Sequence, residues 1–193
     1  MRPACGLRLV PLGLALGCAL SRNAPVVPDR WPPEPAPAAR SASVVVTGER
    51  LFEGGAEAWL VAGSPVWADA AARAYRDSGL FSSVTVGVGD ADVRASVHVR
   101  EQADVNPTLH GLSLLTAGLL PIAAGDRFTV RVELRDGAGR ILGTFERTER
   151  ARLWMGLPAV PALAVRSRRE AVGVLVYDLN RALLVDARAA GAL

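Results

Sequence analysis

The chain has no lysine. All 22 of its basic residues are arginine, set against 19 acids for a formal charge of +3. Such usage, beside abundant Ala, Gly and Val, reads as the mark of a GC-rich genome. Arg2 and Arg8 lie in a leader expected to be removed, which leaves 3 − 2 = +1. A nucleic-acid partner is therefore not expected. Histidine is nearly absent too: His98 sits on the polar side of an alternating stretch and His110 in an apolar one. Neither has the spacing of a metal site, such as two His on one helical turn, so no metal and no cofactor is expected. There is no GxSxG elbow, and "GVGDAD" lacks the glycine spacing and following helix of a dinucleotide loop. "GDAD" and "DGAG" read as turns, and Glu146 and Glu149 as surface carboxylates of a hairpin. No catalytic residue is assigned, and the chain is not expected to be an enzyme.

What is present is enough apolar material for a core. Half of the 193 residues are apolar, the composition of one globular domain with a tail. Arg2 and Arg8 make a positive start, Leu9 to Leu16 an apolar stretch too short to span a bilayer, and Gly17 supplies a small residue before Cys18. Residues 1–17 are thus read as a signal peptide. "LALGC" resembles the lipobox of bacterial lipoproteins, with Ala15 and Leu16 in the reverse of the preferred order. The resemblance implies that Cys18 carries acyl chains, palmitate among them, and that the membrane is a partner through these chains. With Cys5 in the leader, no second cysteine remains for a disulfide. Ala19 is not the Asp that commonly retains lipoproteins in the inner membrane. The implied address is the outer membrane, facing the periplasm.

Residues 18–42 carry Pro25, Pro28, Pro32, Pro33, Pro35 and Pro37, the composition of a tether. In polyproline geometry such a spacer reaches roughly 75 Å. Trp31 within it is a candidate partner contact.

Residues 43–193 are expected to form a periplasmic α+β domain: a two-layer sandwich of a mainly antiparallel sheet with two helices, plus an apolar helical lobe. "SVVVTGERLF" reads as a strand and "EGGAE" as its turn. Ser64 and Pro65 open a helix whose Trp67, Ala71, Ala74 and Tyr75 share a side and which stops at Gly79. "FSSVTVGV" follows as a short strand. In "ADVRASVHVR", Val93, Ala95, Val97 and Val99 alternate with polar residues, which marks a half-buried strand. "RFTVRVELR" and "ILGTFERTER" flank "DGAGR" as a hairpin. Val172, Leu175, Val176, Leu179 and Leu183 mark a closing amphipathic helix.

Two apolar stretches, 109–125 and 153–165, have no clean period. If Arg127–Arg135 pairs with Arg140–Arg150, residues 126 and 151 are neighbours, and both stretches leave the sheet at one end. They are expected either to cover the sheet or to form an exposed lobe. The contact candidates for membrane or partner are Leu114, Leu115, Leu119, Leu120, Leu153, Trp154 and Met155. Arg127, Arg150, Arg152, Arg166, Arg168 and Arg169 would form a basic collar around them. The body bears a loose likeness, in element order alone, to small domains of periplasmic lipoproteins that assist envelope machines. The expected role is non-catalytic binding or assembly, a scaffold with an envelope protein partner or self-association. The alternatives are a lipid-binding transport accessory using the two apolar segments, and a hydrolase with an unrecognised site.

Overall fold

The computed structural model describes residues 18–22, 25–33, 40–53, 64–104, 106–116, 119, 122–155 and 167–193. Six strands and three helices follow in the order β1 (Cys18–Arg22), β2 (Arg40–Glu53), α1 (Pro65–Asp77), β3 (Phe81–Val86), β4 (Val93–Asp104), α2 (Pro107–Leu115), β5 (Ile122–Asp136), β6 (Ile141–Met155) and α3 (Arg168–Ala189). The class is α+β. One mixed sheet runs β1-β6-β5-β4-β2-β3. Three pairings are antiparallel, β1 with β6, β6 with β5 and β5 with β4, while β2 is parallel to both β3 and β4. Parallel neighbours need a crossover, and α1 supplies the one between β2 and β3.

The hairpin follows the expected register, with Asp126 opposite Ala151. It is longer than the alternating pattern: pairing runs on to Ile122 opposite Met155. The inner ends of both apolar stretches are therefore strand, because the extended β6 has a second partner on its other side, β1.

Helices α1 and α3 pack against each other and on the sheet; α1 touches β2 and β3, and α3 touches β1, β5 and β6. Between helices and sheet lies a core that includes Trp67, Tyr75, Phe128, Leu134, Leu175 and Leu179. Alternation in β4 turns Val93, Ala95, Val97 and Val99 into it and leaves the even-numbered side chains outside. Gly48 faces this core because a Cβ there would collide with both the Trp67 ring and the Val99 carbonyl oxygen. Ser64 precedes α1 as expected, but its side chain makes no cap hydrogen bond, and Gly79 ends the turn beyond at φ 67°. Ser167 caps α3 in a reciprocal box with Glu170.

The body starts before Ser43. Instead of extending away, the described parts of 18–42 lie on it. Cys18–Arg22 pairs with Ala151–Met155, Val26 and Trp31 pack against the core, and Pro33 is buried. The anchor for this is ionic. Arg22 donates through Nε and Nη2 to the two carboxylate oxygens of Glu149 at 2.5 and 2.7 Å, and through Nη1 to Asp178 at 2.6 Å. Glu149, expected at the surface, is in fact 2% exposed. Its odd position in β6 points under the helices, and Arg22 compensates its charge there. Its second oxygen also accepts the Val26 N–H at 3.0 Å. The neighbouring Arg181 donates to Asp178 at 3.1 Å and lies 4.8 Å over the Trp31 ring.

Candidate binding face of the sheet

The two faces of the sheet treat charge differently. On the helix side, Glu101 is fully buried and is held by Arg50, whose Nε and Nη2 donate at 2.9 and 2.8 Å, and by Arg168 at the start of α3. Asp126 lies 3.7 Å from the same Arg168, with no hydrogen bond to either carboxylate oxygen among the described residues. Burial, and then repulsion from Glu101, push its carboxyl up to about 6, against the pull of Arg168 and Arg50. Arg168, expected in an outer collar, is therefore consumed inside.

The open face is built by register. Each residue opposite another in neighbouring strands shares its side, so outward residues form rows across β4, β5 and β6. One row is Asp104, Gly125 and Arg152; the next is Gln102, Arg127 and Arg150. The third is Arg100, Thr129 and Thr148, and the fourth is His98, Arg131 and Glu146. Arg127 thus stands directly opposite Arg150. Like charges so placed destabilise a sheet unless something neutralises them. Among the described residues Arg127, Arg131 and Arg150 make no ion pair, and the Arg152 guanidinium, also without one, lies 5.9 Å from the Trp154 ring. Arg100 is different, being bound to Glu49 of β2, whose carboxyl it holds below its ordinary range.

These rows border open hollows. One, of about 390 Å³, lies among Gln102, Asp104, Arg127, Arg150 and Arg152; the other, of about 530 Å³, lies among His98, Arg100, Thr129, Arg131 and Thr148. His98 accepts or donates at 3.1 Å to Thr47 and lies 3.7 Å from Glu49. Among the described residues no group of three or more His, Cys, Asp or Glu could hold a metal ion.

The sequence candidates fall into three sets. Trp154, Leu115 and Leu119 are exposed, at 39, 85 and 64%. Trp154 donates its indole N–H to Ser21 at 3.2 Å. Leu153 is buried, as its odd position in β6 requires. The side chains of Leu114, Leu120, Met155, Cys18 and His110, and the whole of 156–166 with Arg166, lie outside the described residues. Helix α2, which adds exposed Leu109 and Leu112, links the ends of β4 and β5, so it sits at the end of the sheet where Cys18 opposes Met155. Sequence reasoning missed Arg131, although "RFTVRVELR" places it on the same side as Arg127. It also missed the pairing of Arg22 with Glu149, for which no local signal exists.

Among the described residues no helix is long and apolar enough to cross a membrane. No family model matches the chain, and no curated protein does. Similar solved structures include a single-substitution variant of the PelC dodecamer from Paraburkholderia phytofirmans, at 14% identity and a TM-score of 0.39, covering 86% of this chain and 97% of that one. Another is the PelC dodecamer from the same organism, at 12% identity and a TM-score of 0.38, covering 86% and 96%. At these values the likeness says nothing of what this chain binds or how it assembles.

Proposed function

We propose that the chain is a lipoprotein anchored through acyl chains on Cys18 to the periplasmic side of the bacterial outer membrane, with a non-catalytic domain for binding or assembly. The observation that carries this reading is "LALGC" behind a short apolar stretch and two arginines. Each buried methylene contributes about 0.8 kcal/mol, so several chains on one cysteine make a durable anchor. The fold is compatible in a specific way: Cys18 opens β1, so lipid attached there is joined directly to the edge of the sheet. The body is held close to the bilayer, without a long leash. Exposed Trp154 and the leucines of α2 at that end form the apolar lobe of this reading, and the helix pair with the sheet its two layers. The partner is an envelope protein or a second copy of the chain.

Intact-mass analysis of the purified mature protein tests the anchor. The expected product begins at Cys18 and carries added acyl mass; any other start, or no added mass, contradicts the reading. Leu115 and Leu119, exposed beside the anchor, also favour a second reading, a lipid-binding transport accessory. Such a protein copurifies with lipid beyond its own acyl chains, whereas a scaffold copurifies with protein.

A further inference from the structure

We infer that the open face at the Cys18 end of the sheet docks on an anionic phospholipid bilayer, through Arg127, Arg150 and Arg152 with Trp154 at the headgroup boundary. The inference rests on the proposed anchor only for bringing the bilayer near; the contact chemistry is independent of it.

Outward positions of β6 come in the order Trp154, Arg152, Arg150, roughly 7 Å apart along the strand. Trp154 is level with Ala19, one residue from Cys18. An amphipathic aromatic ring followed by guanidiniums is the order in which a bilayer presents its interface and then its phosphates. The facing Arg127 adds a further cation in the row of Arg150. Against these charges, the described outward carboxylates of the same and adjoining rows are Asp104 and, in β2, Glu49, which is bound to Arg100; Glu146 lies one row further on, and none of the three has an ion pair with Arg127, Arg150 or Arg152 among the described residues. A row of opposed, unpaired guanidiniums is a standing electrostatic cost, and phosphates that accept two N–H groups from each fork remove it.

The hollows here are open to solvent, and a small anion in them would meet the arginines alone. Exposed Trp154, Leu112 and Leu115 at the same end need an apolar partner as well as a charged one. A bilayer surface supplies both. A soluble polyanion supplies only the second.

The test uses the chain from residue 18 with Cys18→Ser, which keeps every other described residue and removes the acyl chains. Its partition onto phosphatidylcholine vesicles is compared with that onto vesicles that also contain phosphatidylglycerol. The expected result is binding that requires phosphatidylglycerol and falls steeply with salt. Replacing Arg127, Arg150 and Arg152 by Gln lowers it roughly a hundredfold, at about fivefold for each arginine. A control that replaces Arg94, Arg135 and Arg140 by Gln leaves binding unchanged, and circular-dichroism melting checks that all forms are folded. Equal binding to both vesicles, no loss in the triple variant, or inorganic phosphate and inositol hexakisphosphate binding as tightly as vesicles would overturn the inference. Because the chain used is unacylated, this result is separate from that of the intact-mass experiment.

Discussion

Among the described residues, the buried carboxylates Glu101 and Glu149 under the helices each have a well-placed arginine, while on the open face Arg127 and Arg150 stand opposite one another unpaired. The contrast teaches what each set is for. Arg22 with Glu149 and Asp178, and Glu101 with Arg50 and Arg168, join parts of the chain far apart in sequence: the N-terminal strand to the sheet, and the start of α3 to β4. They are structural clamps. Breaking one leaves a charge uncompensated in a poorly solvated place, which costs far more than the intact pair contributes. Arg127 and Arg150 clamp nothing. Their arrangement costs stability in the free protein, so its energy improves when an anion from outside binds.

The largest predicted effect breaks the first set. Glu149→Ala removes the partner of Arg22 and the acceptor of Val26, and should lower stability by about 3 kcal/mol in a urea titration. Residues 18–33 should at the same time become sensitive to protease. Next, Gly48→Ala drives a methyl against the Trp67 ring and the Val99 carbonyl; overpacking of this kind should cost about 1–3 kcal/mol with the outer face unchanged. A smaller change of opposite sign concerns Asp126. Its raised carboxyl means that the folded chain keeps a proton which the unfolded chain has lost between the ordinary aspartate range and about pH 6. Stability from this group therefore falls as pH rises through that window. Asp126→Asn should raise the melting temperature at pH 7 by about 2–4 °C and change it little at pH 4. The smallest effect sharpens the comparison itself. Arg150→Glu turns the opposed like charges into an opposed pair and should stabilise the free protein by about 0.2–1 kcal/mol while weakening vesicle binding. A loss of stability instead would show that the open-face arginines already have partners.

The elements with a long regular period were legible in the sequence. The alternation of Val93 to Val99, the hairpin around 136–140 with its register, and the faces of α1 and α3 all follow from spacing alone. Strand β1 was not legible, since five residues beside prolines carry no period and its pairing depends on an edge of β6 more than 120 residues away. Nor was the direction of β2. Alternation reports which side is buried, and parallel and antiparallel partners bury the same side. The open-face site was half legible. Arg127, Arg150 and Arg152 were gathered by the hairpin, but Arg168 was grouped with them because its partner, Glu101, lies 67 positions back in the chain. A small net charge hid the site from composition, because acids elsewhere in the chain offset the arginines in the sum.

With the arginine face docked, one end of the sheet lies against lipid and the other in water. The direct measurement places a spin label at Trp154→Cys or at Ala138→Cys, in the hairpin turn at the far end, in the membrane-anchored protein. Accessibility to oxygen, which concentrates in lipid, is compared with that to a water-soluble nickel chelate. The label at 154 should favour oxygen and the label at 138 the chelate. Two labels that favour the chelate equally would mean that this face never meets the bilayer.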